Sequence, residues 1–189
     1  MNALAPTLST RHQSAIKPAL RDTMLILFGS LFVAALAQVR IPLPFTPVPL
    51  TGQTFAVLLV GAALGSRRGV ASLGLYTLLG LVGLPVFAGG SGGTAHLFGP
   101  TGGYLLGFIA AAWVVGQLAE RGLERSVRTS ILPFLAGTAI IYLFGISWLA
   151  VYLGFQKALT AGLVPFLVGD FIKLIGAALT LPAAWKLVK

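Results

Sequence analysis

The chain has no cysteine, and only 4 of its 189 residues are acidic. The lack of cysteine excludes disulfide bonds, thiolate metal sites and cysteine nucleophiles. The 2 histidines are far apart in sequence, which argues against a zinc site. Charged residues make up 9% of the chain, whereas a soluble domain has about 25%. An ordinary soluble protein is therefore excluded, and the sequence predicts no catalytic residue, no metal site and no cofactor.

Apolar sequence takes the place of the missing charge. Hydrophobic residues make up 57% of the chain, and the mean hydropathy is +0.94. Long apolar runs recur, and about 20 residues in helical form cross the hydrocarbon core of a bilayer. The sequence therefore predicts an all-α integral membrane protein in contact with lipid. The net charge of +9 would suggest nucleic acid in a soluble chain, but here the basic residues follow membrane topology, so no nucleic-acid partner is predicted.

Apolar runs and helix breakers divide the chain into six predicted transmembrane helices in one bundle. The predicted spans are 24–39, 51–64, 69–84, 102–118, 131–152 and 164–187. Residues 1–22 form an N-terminal segment, and residues 1–189 form a single membrane domain. An alternative is that 24–36 is the apolar core of a signal peptide, with Ala35-Leu36-Ala37 as its cleavage site. The Pro-rich segment after Arg40 favours a connection between two helices instead.

Basic residues predict the orientation of these helices. Ten of them lie at the two termini and in the loops on the same side, namely Arg11, Lys17, Arg21, Arg67, Arg68, Arg121, Arg125, Arg128, Lys186 and Lys189. The other side has only Arg40 and Lys157. Because positive loops stay in the cytoplasm, both termini are predicted to be cytoplasmic in a bacterial cytoplasmic membrane. The loops 40–50, 85–101 and 154–163 are then outside.

Asp170 and Lys173 are charged residues in the outer half of the last apolar run. A charge near the centre of a membrane helix costs about 2.5 to 3.5 kcal/mol. The two residues are one helical turn apart, so they share a face and can pair with each other. They are either a structural ion pair or the polar floor of a site for a small solute. A proton relay is disfavoured because it would need further ionisable residues in the spans.

Two uncharged outer segments adjoin this last helix. Prolines at 42, 44, 47 and 49 predict a stiff, non-helical segment that serves as a lid or as a rigid hairpin connection. Thr51 is predicted to cap the next helix, whose first residues, including Gln53, could receive a carboxylate. The glycines of 84–103 permit close approach of backbone to a ligand, but no P-loop is present. His96 is interpreted as a plain loop residue.

Aromatic residues are predicted near the outer helix ends. They are Phe45, Phe87, Tyr104, Trp148 and Tyr152. Most are expected in the interfacial belt of a membrane protein, and one or two could flank a ligand ring. Small residues four apart, such as Gly103 and Gly107, predict close helix packing. The pair Ser30 and Ala34 is predicted to dock a membrane partner instead.

Four motifs resemble the BioY family. They are Ile-Pro-Leu-Pro-Phe-Thr-Pro-Val-Pro-Leu-Thr-Gly-Gln-Thr at 41–54, Gly-Leu-Pro-Val-Phe-Ala-Gly-Gly at 83–90, Phe-Gly-Pro-Thr-Gly-Gly-Tyr at 98–104 and Gly-Asp-Phe-Ile-Lys at 169–173. The resemblance implies a substrate-binding (S) component of an energy-coupling factor (ECF) transporter, which takes up biotin and performs no covalent chemistry. It also implies a transmembrane coupling protein and two cytoplasmic ATPase subunits as partners.

The resemblance also implies roles for particular residues. Asp170 and Lys173 match the positions that contact biotin in the family. Some relatives have an asparagine in the second outer loop, and here Ser91 or a backbone group such as that of Gly90 would substitute for it. An S component for thiamine or riboflavin, an intramembrane enzyme and a structural bundle remain as alternatives.

Overall fold

The computed structural model describes residues 3–4 and 17–186, and in these residues it contains seven α-helices. The helices are α1 Pro18–Gln38, α2 Gln53–Leu64, α3 Ser66–Leu81, α4 Gly102–Glu120, α5 Val127–Leu153, α6 Phe155–Gly162 and α7 Leu167–Lys186. Short 3₁₀ turns occupy Thr94–His96, Leu123–Arg125 and Val164–Phe166. Two short strands, β1 (Arg40–Ile41) and β2 (Leu50–Thr51), pair in an antiparallel ribbon. The all-α prediction is therefore confirmed.

In the part of the chain that the structure describes, four helical segments are long and apolar enough to cross a membrane. They are Pro18–Gln38, Gly102–Glu120, Val127–Leu153 and the continuous stretch Phe155–Lys186. The helix α2 is apolar but has 12 residues, and α3 has 16. These two are joined at Gly65, whose φ of 83° favours glycine, so together they form a helical hairpin.

The end of the chain differs from the prediction. The predicted loop 154–163 is largely the helix α6, and the predicted span 164–187 begins as a helix only at Leu167. Pro165 lies in the 3₁₀ turn between α6 and α7, where its missing N–H prevents one continuous helix. Polar residues such as Gln156 and Lys157 made α6 resemble a loop in the sequence.

Small residues allow α4 to pack closely on its neighbours. A Cβ atom on Gly103 would lie 2.2 Å from the Cβ of Trp148 on α5. One on Gly116 would lie 2.3 Å from the backbone nitrogen of Ser66 on α3. Contacts this short are not possible for real side chains, so the glycines are required where the helices meet. The predicted close packing at Gly103 is therefore confirmed.

Ser30 is wrongly predicted to face a partner. Its side chain is 1% exposed, and it points into the bundle. Ala34 is half-buried and packs against the hydrophobic core. Helical periodicity turns this small-residue face of α1 inward, toward the protein's own helices, so the pair contributes to internal packing.

The bundle has two distinct polar ends. One end carries the β1–β2 ribbon and the connection between α3 and α4, residues 82–101, which we call the Gly-rich loop. We call this end the pocket end. At the opposite end, Arg68 pairs with Asp22 at 3.0 Å. The carboxylate of Glu120 there accepts hydrogen bonds from the backbone and hydroxyl of Ser66 at 2.7 and 3.0 Å. We call this second end the basic end because the loops there carry most of the arginines.

The fully buried carboxyl of Glu124 also lies at the basic end, in the turn between α4 and α5. Its Oε1 accepts a hydrogen bond of 3.0 Å from the indole of Trp185 near the end of α7. The guanidinium of Arg125 lies 4.7 Å from the centre of that indole ring. In the described residues the Oε2 of Glu124 has no hydrogen-bond partner. Glu124 therefore ties α7 to the α4–α5 turn with an incompletely satisfied carboxyl.

Candidate functional site

A cavity of about 480 Å³ opens at the pocket end of the bundle. Its walls come from the Pro-rich β1–β2 ribbon (residues 40–51), the Gly-rich loop, the adjacent ends of α2, α4 and α7, and the middle of α5. A volume of this size is typical of sites for small molecules, which occupy about 300 to 1,000 Å³. The cavity is mostly apolar, so its few polar side chains determine what it can bind.

The polar floor of the cavity is centred on Asp170, in the first turn of α7. Its side chain is buried, with the residue 6% exposed. Lys173 donates to Oδ1 at 2.8 Å, and the hydroxyl of Thr54 on α2 donates to the same oxygen at 2.9 Å. Tyr142 on α5 donates to Oδ2 at 2.5 Å. Three helices therefore converge on one carboxylate, and we call these four residues the polar floor.

Lys173 is already partly neutralised by these contacts. Its ammonium donates to Asp170 and, at 3.0 Å, to the hydroxyl oxygen of Thr54. An ammonium has three N–H donors, so one remains for a ligand. The carboxylate likewise keeps acceptor capacity beyond its three hydrogen bonds, because each oxygen can accept more than one. The polar floor can therefore offer a ligand one donor and one acceptor side by side.

Aromatic side chains form part of the cavity wall. Phe87 is 3% exposed and packs edge-to-face against both Tyr76 and His96, with ring centres 5.5 and 5.4 Å apart. Tyr104 is buried and donates through its hydroxyl to the carbonyl of Gly162 at 2.8 Å. Both residues are held by the protein itself, so their ring faces are in place before a ligand arrives.

Gln53 contributes a polar group to the wall beside these rings. Its amide donates to the hydroxyl of Tyr76 at 2.7 Å and accepts from the hydroxyl of Thr51 at 3.0 Å. Thr51 itself lies in β2, so it is not the helix cap that the sequence predicted. Gly52 occupies the cap position, although the Thr51 hydroxyl still accepts a hydrogen bond from the Gln53 backbone at 3.3 Å.

Gln38, the last residue of α1, holds the Gly-rich loop in place. Its amide nitrogen donates to the carbonyl of Phe87 at 3.2 Å, and its amide oxygen accepts from the backbone of Gly90 at 2.8 Å. The loop turns at Gly89 and Gly90, whose φ values are 76° and 69°. Only glycine adopts these angles without strain, so the two glycines set the turn and Gln38 fixes it.

Six of the predicted site residues line the same cavity. They are Asp170, Lys173, Gln53, Phe87, Ser91 and Tyr104. Ser91 uses its hydroxyl to donate to the carbonyl of Ala88 at 3.0 Å, which leaves its lone pairs free. Asp170 and Lys173 form an ion pair, and both also line the cavity. The two alternatives from the sequence, a structural ion pair and the polar floor of a solute site, are therefore compatible.

Four other predicted residues do not line the cavity. Phe45 is 66% exposed at the tip of the Pro-rich segment. Trp148 donates to the carbonyl of Gly99 at 3.0 Å, and Tyr152 donates to the carbonyl of Phe98. Both therefore brace the Gly-rich loop from α5. Gly90 shapes the turn through its backbone and is tied to Gln38, so it does not face the cavity.

Thr54, Tyr142, His96 and Arg40 line the cavity and were missed as site residues. Thr54 is one residue from the predicted Gln53, and its position at a helix start was the available signal. No sequence signal marked Tyr142, because its partner Asp170 is 28 residues away along the chain. His96 was interpreted as a plain loop residue, but its ring packs on Phe87 within the wall.

Known proteins are similar to this chain over most of its length. Residues 7–189 match the BioY family. A biotin transporter BioY from Rhizobium etli is 41% identical over 169 residues, which cover 84% of this chain and 90% of that protein. A biotin transporter BioY from Thermotoga maritima is 46% identical over 140 residues, covering 74% of this chain and 82% of that protein.

A solved structure has the same fold. The crystal structure of the S-component for biotin from an ECF-type ABC transporter superposes with a TM-score of 0.80 at 28% sequence identity. The match covers 91% of this chain and 95% of that one. These relatives are transport proteins and not enzymes, and the long apolar helices agree with a multi-pass membrane protein. The resemblance found in the four motifs is confirmed, and the chain belongs to the BioY family.

Proposed function

We propose that this protein binds biotin in the pocket-end cavity and takes it up across the cytoplasmic membrane as the S component of an ECF transporter. The observation that carries the proposal is the polar floor, in which Asp170 and Lys173 meet Thr54 and Tyr142 beneath an apolar cavity. A buried ion pair in a membrane protein is costly, and such residues typically mark a substrate site. The relatives named as biotin transporters support biotin as that substrate.

The ureido group of biotin fits the polar floor. Its N–H groups can donate to the free acceptor capacity of Asp170, and its carbonyl can accept the remaining N–H of Lys173. Both contacts are charge-assisted, so each is stronger than a neutral hydrogen bond. The ligand completes the coordination of the ion pair without breaking it, because the donor and the acceptor are adjacent on one face of α7.

The remainder of the cavity suits the apolar part of biotin. Leu105 and Phe108 on α4 and Phe166 before α7 are buried and line it, together with Phe87 and Tyr104. Burial of apolar surface contributes about 25 cal/mol per Å². The Pro-rich ribbon and the Gly-rich loop cover the entrance. The proline rings stiffen the ribbon, and hydrogen bonds order the Gly-rich loop. Ligand binding therefore costs little conformational entropy in these two segments.

We infer six membrane crossings with both termini in the cytoplasm, in one domain spanning 1–189 that includes the N-terminal segment 1–22. The crossings are α1, α2, α3, α4, α5 and the α6–α7 stretch, with α2 and α3 contributing shorter segments. Support comes from the arginines at the basic end, which the positive-inside rule assigns to the cytoplasm. The coupling protein and two ATPase subunits are proposed partners, and support for them is the match to an S component.

A binding experiment with purified protein tests the proposal. We expect labelled biotin to bind with a Kd of about 1 μM or tighter, and Asp170→Asn to weaken binding by at least about tenfold. Lys157→Gln is the matched control, because Lys157 is an exposed cation outside the cavity. Absence of biotin binding, or an unchanged affinity in Asp170→Asn, contradicts the proposal. Displacement of biotin by thiamine or riboflavin identifies a different vitamin as the substrate.

A further inference from the structure

Arg40 stands at the mouth of the cavity. It follows α1, begins β1, and lines the cavity while remaining exposed to solvent. Its guanidinium covers the Gly89 turn so closely that a Cβ atom on Gly89 would lie 2.2 Å from the guanidinium carbon. Asp170 of the polar floor is buried and the side chain of Lys173 is 19% exposed, so the cavity runs from a largely buried ion pair to an exposed cation.

The charge of Arg40 is not neutralised by the protein. The chain has only 4 acidic residues. Asp22 pairs with Arg68 and Glu120 binds Ser66, both at the basic end, while Glu124 is buried beside Trp185. Asp170 pairs with Lys173. In the described part of the chain, the Arg40 side chain has neither an ion pair nor a hydrogen bond.

The two cations of the cavity therefore differ in function. Lys173 has its carboxylate 2.8 Å away, so a second carboxylate at the floor would be repelled by Asp170. Arg40 has no such anion, and a guanidinium presents a planar fork that binds a carboxylate through two parallel hydrogen bonds. An anionic group on a ligand is stabilised at the mouth and disfavoured at the floor.

We propose that Arg40 binds the carboxylate of the ligand, so that the cavity selects a molecule with a neutral polar head, an apolar middle and an acidic end. This inference rests on the proposed function, because it assigns the ureido head of biotin to the polar floor. It adds a specificity residue: Arg40 distinguishes the free acid from its esters and amides. Exposure to solvent screens the pair, so the effect on affinity is moderate.

Biotin and biotin methyl ester separate this role from a structural one. Affinities of both ligands are measured for the wild-type protein, Arg40→Gln, Arg40→Lys and Lys157→Gln. We expect the wild type to prefer the acid by about tenfold, and Arg40→Gln to lose that preference by weakening acid binding alone. Arg40→Lys keeps part of the preference, since it keeps the charge but not the fork. Lys157→Gln keeps all of it.

Each other result overturns the inference. Equal affinity of the wild-type protein for the acid and the ester means that the protein does not recognise the carboxylate. If Arg40→Gln still prefers the acid, another group binds the carboxylate. If Arg40→Gln binds acid and ester equally less tightly, Arg40 only supports the structure of the loop. Retained ester binding by Arg40→Gln also shows that this variant is folded. If the wild type binds neither ligand, the proposed function itself fails, which is distinguishable from failure of the Arg40 assignment.

Discussion

At the scale of single residues, the site depends on how completely Asp170 is satisfied. Its carboxylate receives hydrogen bonds from Lys173, Thr54 and Tyr142. Removing a partner from a buried charged group costs more than the net strength of one hydrogen bond, because the charge is left exposed to an apolar environment. Removal of one of these partners is therefore expected to weaken ligand binding nearly as much as a change of Asp170 itself.

Tyr142→Phe tests this dependence. The change removes the hydroxyl that donates to Asp170 Oδ2 at 2.5 Å, and hydrogen bonds to charged groups contribute about 1.5 to 3 kcal/mol. We expect biotin affinity to fall by about tenfold or more, measured by binding of labelled biotin. Tyr152→Phe is the matched control, because its hydroxyl donates to the Phe98 carbonyl outside the cavity. Equal losses in the two variants would contradict a special role for Tyr142.

Glu124 predicts how stability depends on pH. Burial raises the pKa of its carboxyl above the ordinary value, and this outweighs the lowering by hydrogen bonds and by Arg125. Because the folded state prefers the protonated form of Glu124, the contribution of this residue to stability is greatest below the ordinary pKa of a glutamate and is lost as pH rises through the raised pKa. We expect Glu124→Gln to lessen this fall, seen as a smaller loss of Tm between about pH 5 and about pH 8. Parallel Tm curves for the two proteins would rule this out.

At the scale of elements, α3 provides the space into which the Gly-rich loop packs. A Cβ atom on Gly80 would lie 2.1 Å from the ring of Phe87, whereas one on Gly74 would meet nothing within 4 Å. The Phe87 ring belongs to the cavity wall, and Gln38 of α1 holds the same loop from the other side. The wall of the site thus depends on a glycine in a helix that contributes no residue to the cavity lining.

Gly80→Ala and Gly74→Ala form a matched pair on this one helix. The added methyl at Gly80 displaces Phe87, and overpacking of this kind costs about 1 to 3 kcal/mol. We expect Gly80→Ala to lower Tm and to weaken biotin binding. Gly74→Ala should leave binding unchanged and raise Tm slightly, because alanine favours a helix by up to about 1 kcal/mol. Biotin affinity equal to that of the wild type in Gly80→Ala would show that the loop repacks without loss.

At the scale of the whole molecule, charge separates the two ends of the bundle. The basic end has the arginine-rich connections and the pair Arg68–Asp22. The pocket end has Arg40 and the uncharged loops. A bilayer keeps such loops on opposite sides, since clusters of Arg and Lys are retained in the cytoplasm. In the proposed orientation, ligand capture and contact with the proposed cytoplasmic partners lie at opposite ends of the bundle.

Single introduced cysteines test this orientation against a background with no native cysteine. We expect Phe45→Cys, at an exposed position of the pocket end, to react with an impermeant maleimide on intact cells. Arg128→Cys, exposed at the basic end, should react only after the membrane is permeabilised. The measurement is the labelled fraction before and after permeabilisation. Labelling of Arg128→Cys on intact cells would contradict cytoplasmic termini.

Much of the fold could be predicted because its signals are local. Apolar runs predicted an all-α membrane protein, and the prolines at 42, 44, 47 and 49 predicted a non-helical segment. Helix boundaries were predicted wrongly where polar and apolar residues are mixed. The segment α6 is helical despite its polar residues, and Pro165 delays the start of α7. The inward face of Ser30 was missed because a weakly amphipathic membrane helix does not reveal which side meets protein and which meets lipid.

The sequence by itself determined the helical membrane architecture, the shared helix face of Asp170 and Lys173 and the family, since these depend on composition and on residues near one another in the chain. Only the tertiary structure decided which side chains complete the site. Thr54 is 116 residues from Asp170, and Tyr142 is 28 away. It also separated Phe87 and Tyr104, which line the cavity, from Trp148 and Tyr152, which brace a loop. The physical reason is that helix packing sets the direction of each side chain, and no local pattern records it.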